Sequence, residues 1–189
     1  PLRFLFILSF TAGILIRPYN ELLPGFSADV FGRGAEGLAM LNAAAGLGAL
    51  FSAFYLVFRG RAQGLVRIMM VSAIFSCLGL AAFSQTGNFH LALVGLTFAA
   101  LMLLASHVGW MSLIQNVADP AMRGRIISFN ASVGIGAPAL GALLLGWLAD
   151  WIGLGAALFT TSMIAMVIFL LISLPISRLT NELEADPTV

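Results

Sequence analysis

An all-α integral membrane protein with six transmembrane helices is the fold this sequence predicts, and three observations predict it. The 189 residues are 60% hydrophobic and only 9% charged, with a mean hydropathy of +1.03. A soluble domain carries about 25% charged residues, so this chain could not cover a water-facing surface. Its apolar runs are long and rich in Leu, Ala, Phe and Gly, not alternating ten-residue segments. That favours helices over a barrel, because in lipid every backbone polar group must be satisfied within the helix or around a closed sheet. The runs are separated by short polar or basic turns, at intervals that suit the ~20 residues needed to cross a hydrocarbon core.

The first span is predicted over about 3–29. Its mostly apolar part, 4–16, is too short to cross alone, so the helix must continue through Arg17, Pro18, Asn20 and Glu21 toward Asp29. Pro18 and Pro24 should kink or locally open this second half. The stretch 30–37 (VFGRGAEG) reads as a Gly-rich turn. The second span is predicted over 38–58 and ends at Arg59-Gly60-Arg61; the third covers 65–83 and ends at the polar turn SQTGNFH. The fourth covers 91–114, with Thr97 early and Ser106, His107 and Trp110 late. In the turn QNVADPAMRGR, Asp119-Pro120 reads as a helix start, Asp as N-cap and Pro at the first helical position. The fifth span is predicted over 126–149, a tight turn over 150–153, and the sixth over 154–176, stopped by Pro175 and Arg178. Residues 1–178 thus form one membrane unit, and 179–189 a polar tail.

Charge placement orients the bundle. All nine basic residues are Arg. Arg3, Arg59, Arg61, Arg67, Arg123, Arg125 and Arg178 fall on the side shared by the two ends of the chain, leaving Arg17 and Arg33. Positive residues in short loops stay inside, so both ends are expected in the cytoplasm. The one cysteine, Cys77, lies in an apolar run and supports no disulfide framework. The chain starts at Pro1 and enters an apolar run at once, without the n-region and cleavage site of a signal peptide. It reads as a fragment lacking its N-terminal part.

A faint internal repeat joins the second and fifth spans. LNAAAGLGA (41–49) and FNASVGIGA (129–137) share Asn, Ala, Gly, Gly and Ala at matching positions. The two spans run in opposite directions, and three helices repeated with inverted topology is a transporter construction. Chance in Ala/Gly-rich helices is the competing reading.

Six spans, basic loops after the second and fourth, and GAPxxG in the fifth (136–141) together resemble the C-terminal half of a major facilitator superfamily transporter. RPYNELLPGFSADVFGRGAEGL (17–38) and the run from DPAMRGRIISFN to PALGALLLGWLAD (119–150) look like its drug and siderophore exporter branch, the enterobactin-exporter-like transmembrane secretion effectors. The resemblance covers nearly the whole chain. It implies one half of a twelve-helix fold built from 3+3 inverted repeats, with an N-terminal six-helix half missing here. It further implies a multi-pass protein of the bacterial cytoplasmic membrane, C-terminus inside. The implied activity is secondary active transport, proton-coupled efflux of small amphipathic molecules by rocking about a midplane site. Its partners would be a small-molecule substrate, protons and membrane lipid. No cofactor, metal or nucleic acid is expected, and no motif of an ATP-driven pump is present.

Candidate residues fall into three groups. Arg17, Asn20, Glu21, His107 and Trp110 are candidates for the substrate and proton pathway, because an ionisable group within a span is a functional hypothesis by default. Arg17 lies about 20 Å along the first span at 1.5 Å per residue, past the middle of a ~30 Å core; Glu21, four residues on and on the same face, is nearer the edge. The competing reading has both bracing the kinked end of the span. His107 could carry a proton or be hydrogen-bonded between helices, and Trp110 could pack or stack on an aromatic substrate. Asp119, Arg123, Arg125, Arg59 and Arg61 are candidates for a cytoplasmic gate, against a plain topological role on lipid phosphates. The family's loop between spans two and three usually carries an Asp ahead of its basic residues; FYLVFRGRAQG has none, which weakens a charge relay there. Gly134, Gly136, Pro138 and Gly141 are assigned to helix packing and a bend, since small residues let helices approach closely in lipid. The related antiporter motif would have glycines at Ala137 and Ala142.

GWLADWIG (146–153) matches a loop signature of the superfamily, but no basic residues follow and Arg bias puts Asp150 outside, so that assignment is rejected. An intramembrane serine protease is disfavoured, because Ser106 and His107 are neighbours on one helix and point to different faces. A non-transporting scaffold or channel-like six-span protein is the alternative to an exporter.

Overall fold

In a computed structural model, which describes residues 2–59, 64–117 and 123–178, the chain is all-helical and no strand occurs among the described residues. Five helices are long and apolar enough to cross a membrane: α3 (Gly34–Arg59), α4 (Leu65–Gln85), α5 (Phe89–Val117), α6 (Arg123–Ile152) and α7 (Leu154–Arg178). That is the signature of a multi-pass membrane protein.

Ahead of them the chain takes a broken helical path. Helix α1 (Leu2–Thr11) widens into a π-helical turn, Ala12–Ile16, and α2 (Tyr19–Gly25) runs into a second π turn, Phe26–Val30. Proline explains part of this. Pro18 has no N–H to donate, and the chain before it closes on a wider ring, with the Arg17 N–H donating to the Ala12 carbonyl at 2.9 Å. Pro24 lies inside α2, and the Phe31 N–H donates back to Phe26 at 3.0 Å.

The long helices extend past the predicted spans. α3 starts at Gly34, so the turn predicted over 30–37 shrinks to 31–33. The polar turn after α4 shrinks to 86–88, because Ser84 and Gln85 stay helical and Asn88 caps α5, its Oδ1 accepting from the His90 N–H at 3.0 Å. α6 runs to Ile152, leaving Gly153 alone to reverse the chain at φ +85°, a conformation that costs any residue with a Cβ. Pro175 does not stop α7, which continues to Arg178. Polar residues extend these helices because main-chain bonding is worth most where water is scarce.

Helix order in space follows close small-residue contacts. α5 lies between α3 and α4, α4 packs on α7, and α6 packs on α7 and on the first π turn. A Cβ on Gly48 would collide with the Thr97 carbonyl of α5, where the Thr97 hydroxyl also donates to Ala44 of α3 at 3.1 Å. A Cβ on Gly141 of α6 would collide with the Ile14 carbonyl and the Pro18 ring, and one on Gly13 would sit 2.8 Å from Ala137. Gly46 and Gly136 face open space. At the end where α3 begins, Phe26, Phe31, Phe83 and Phe89 cluster, with the Arg33 guanidinium 4.4 Å over the Phe89 ring. Large apolar side chains such as Phe51, Phe54, Leu143, Trp147 and Trp151 are exposed, as lipid-facing residues are.

Candidate functional site

The break in the first span aims its charged segment at a cavity. Arg17, Pro18, Tyr19, Asn20 and Glu21 form one wall of a cavity of about 680 Å³. The other walls are Ala45 and Ala49 of α3, Ala100, Leu103, Leu104 and His107 of α5, and Ile135, Pro138, Ala139 and Ala142 of α6. None of the described lining residues comes from α4 or α7. The volume lies within the ~300–1,000 Å³ of small-molecule sites, and the composition matches them too: mostly apolar walls with a few polar groups.

Arg17 is the chemical centre. One guanidinium nitrogen, Nη2, lies 3.0 Å from His107 Nδ1 and 3.3 Å from its Nε2. Nearly equidistant from both ring nitrogens, it lies against the imidazole rather than along one in-plane lone pair. The contact spans 90 residues of sequence and ties the first span to α5. The face of His107 is stacked on Trp110, ring centroids 5.7 Å apart at 29°. Trp110 is buried, so its face serves the histidine.

Behind this pair lies a second, narrower cavity of about 300 Å³. Arg17, Leu103, His107 and Ile135 border both spaces, so the Arg17–His107 pair stands in the wall between them. The narrower space is also bordered by Ser76, Ser106, Trp110 and Asn130. Asn130 is buried; its amide N–H lies 3.1 Å from Met111 Sδ, and its carbonyl oxygen has no hydrogen-bond partner among the described residues.

Arg17, Asn20, Glu21 and His107 therefore meet around one cavity, and Trp110 stands behind them. Glu21 is exposed on the cavity wall and forms no ion pair with Arg17. Of the gate candidates, Asp119 and Arg61 lie outside the described residues; Arg59 ends α3, Arg123 begins α6, and Arg125 is exposed near that start. Among the packing candidates, Gly141 is in tight contact, Gly136 is open, and a Cβ on Gly134 would lie 3.9 Å from Arg17 Nη1. Pro138 sits inside an α6 that remains one continuous helix, and lines the larger cavity. The two arms of the sequence repeat differ in surroundings: Asn42 is exposed and caps back to Leu38 at 3.0 Å, whereas Asn130 is buried.

Sequence reasoning missed Tyr19, Ala49, Ala100, Leu103 and Ile135 as cavity walls. Ala49 had a signal, as the last residue of the repeat; the others look like any lipid-facing or packing residue. Fold and site define a multi-pass helical membrane protein with an open-sided, mostly apolar cavity holding one arginine. Comparison with protein-family models, curated proteins and solved structures finds no match to this chain.

Proposed function

We propose that this chain is the C-terminal six-helix half of a major facilitator-type secondary transporter, exporting small amphipathic molecules in exchange for protons. The observation that carries the reading is the composition of the cavity wall. The first span, α3, α5 and α6 line it while α4 and α7 stand behind. In a 3+3 inverted repeat, these are the first two helices of each triplet, with the third helices outside. The packing pattern fits as well: α3 against α5 corresponds to α6 against the first span, and α4 against α7 is its own counterpart. The crossing of Gly48 with Thr97 and Leu101 has its counterpart in Gly13 with Ala137, within one residue of the sequence offset between the two repeat arms.

Alternating access needs a second half, and α3 and α6 present the faces for it. They are the least buried of the five long helices, 22% and 17% over their most apolar windows. Both carry glycines with nothing packed on them. In this reading Arg17 and His107 sit near the centre of the transport path. Glu21 takes and releases the proton at its rim, and the basic ends of α3 and α6 face the cytoplasm of a bacterial inner-membrane protein.

The test is export of a fluorescent amphipath by the complete gene product in cells, with and without an uncoupler. Export should collapse with the proton gradient, fall at least about tenfold in Arg17→Ala, and lose its gradient dependence in Glu21→Gln. Unchanged transport in both variants would remove these residues from the mechanism. Ion flow down its own gradient would instead favour a channel, and absence of any flux a scaffold.

A further inference from the structure

The charge balance of the cavity says what kind of molecule it takes. Arg17 is a half-buried cation within an apolar span, where an ionisable group normally has a charged or polar partner. Here no described carboxylate pairs with it. Its partner is an imidazole, which brings no negative charge, while guanidinium has five N–H donors in a fixed fork. Among the described lining residues Glu21 is the one acid; it is exposed and forms no ion pair with the guanidinium. The rest of the wall is Pro18, Tyr19, Asn20 and the Ala, Leu and Ile side chains of α3, α5 and α6. The cavity therefore offers one unneutralised fork of donors beside about 680 Å³ of mostly apolar space.

We infer that the cavity binds an amphipathic anion, its carboxylate or sulfonate held by the Arg17 fork and its apolar body by α3, α5 and α6. A planar acid group matches guanidinium in two parallel hydrogen bonds, a geometry that neither a neutral amide nor an ammonium reproduces. Turning to meet the acid moves Arg17 away from His107, which stays stacked on Trp110. The wall between the two cavities then opens on the narrower space, which Asn130 also borders. This rests on the transporter reading only for what happens after binding; the site itself is a property of the described residues.

The experiment compares three probes of one shape, 2-naphthoate, 2-naphthamide and 2-naphthylmethylammonium, by calorimetry on the intact chain in lipid nanodiscs. Naphthoate should bind at least about tenfold more tightly than the amide, the value of one charge-assisted hydrogen bond, and the ammonium most weakly. Arg17→Gln should erase the difference while leaving amide affinity within about twofold, and Arg17→Lys should retain part of it. If Arg17→Gln loses the amide as well, its fold is lost, and wild type against Arg17→Lys decides. Equal binding of acid and amide, binding of neither, or a charge preference that survives Arg17→Gln would overturn the inference. Flux of the same probes through the complete gene product separates this from the transport reading. Preference in binding without flux keeps the anion site and removes the transporter; equal flux of acid and amide does the reverse.

Discussion

At the scale of single residues, close contact in lipid is decided by the absence of a side chain. Apolar tails solvate leucine as well as another helix does, so helices associate through packing and hydrogen bonds, and small residues mark where they cross. Four glycines on α3 and α6 stand at the two extremes of this criterion. Gly48 and Gly141 have a neighbouring backbone where a Cβ would be; Gly46 and Gly136, on the same two helices, have nothing. Gly48→Ala and Gly141→Ala should each lower stability by about 1–2 kcal/mol, overpacking outweighing the gain in helix propensity. Gly46→Ala and Gly136→Ala should be neutral or stabilising by up to about 1 kcal/mol. Thermal unfolding in detergent reads the contrast, and four indistinguishable melting temperatures would mean that these crossings are not where the bundle is held. Composition alone could not sort the four, because each lies in the same Ala/Gly-rich pattern. The site shows the same limit. An arginine inside an apolar span stands out in the sequence, but its pairing with His107 across 90 residues is set by which helices become neighbours.

At the scale of elements, the five long helices were legible because the bilayer leaves the chain so few options: an apolar run of sufficient length is a helix. Their ends were less so, since Ser84, Gln85, Asp150 and Pro175 read as turn or stop residues yet stay helical. The π turn before Pro18 was also beyond the sequence. Proline announces a break, but the widening over Ala12–Ile16 coincides with Gly13 and Ile14 lying against α6. This element is the weak one by construction. Around Arg17–Glu21 the backbone is held by a π-type bond at Arg17, a long 3.5 Å contact at Asn20 and a three-residue return at Glu21. Amide exchange should therefore be fast at Arg17, Asn20 and Glu21, and slowest in α4 between Met69 and Phe83, whose side chains form the buried core. Protection of 17–21 equal to that of α4 would show a rigid joint and count against movement of Arg17 on binding.

At the scale of the whole molecule, the distribution of unburied surface is uneven in an informative way. α4, with α5 on one side and α7 on another, is 61% buried over its apolar window, whereas α3 and α6 border the open cavity and are mostly exposed. Lipid could cover them, but lipid does not need glycine. The second half of the proposed transporter would, since its backbone would have to come close to seal the cavity. Gly46 and Gly136 mark the two faces where it would sit. A tryptophan there separates the possibilities, because its Cβ meets nothing within 4 Å in the described chain. Gly46→Trp and Gly136→Trp should leave the melting temperature of this chain within about 2 °C of wild type, less than the shift of a ~1 kcal/mol change in a protein this size. If the proposed two-half exporter reading holds, the same substitutions in the complete gene product should wedge the halves apart and reduce export at least about tenfold, because a misfit in a packed interface is not absorbed elsewhere. Full export with either tryptophan would make these faces lipid-facing. The cavity would then be sealed by something other than a second half across α3 and α6, and the two-half reading would lose its geometric support.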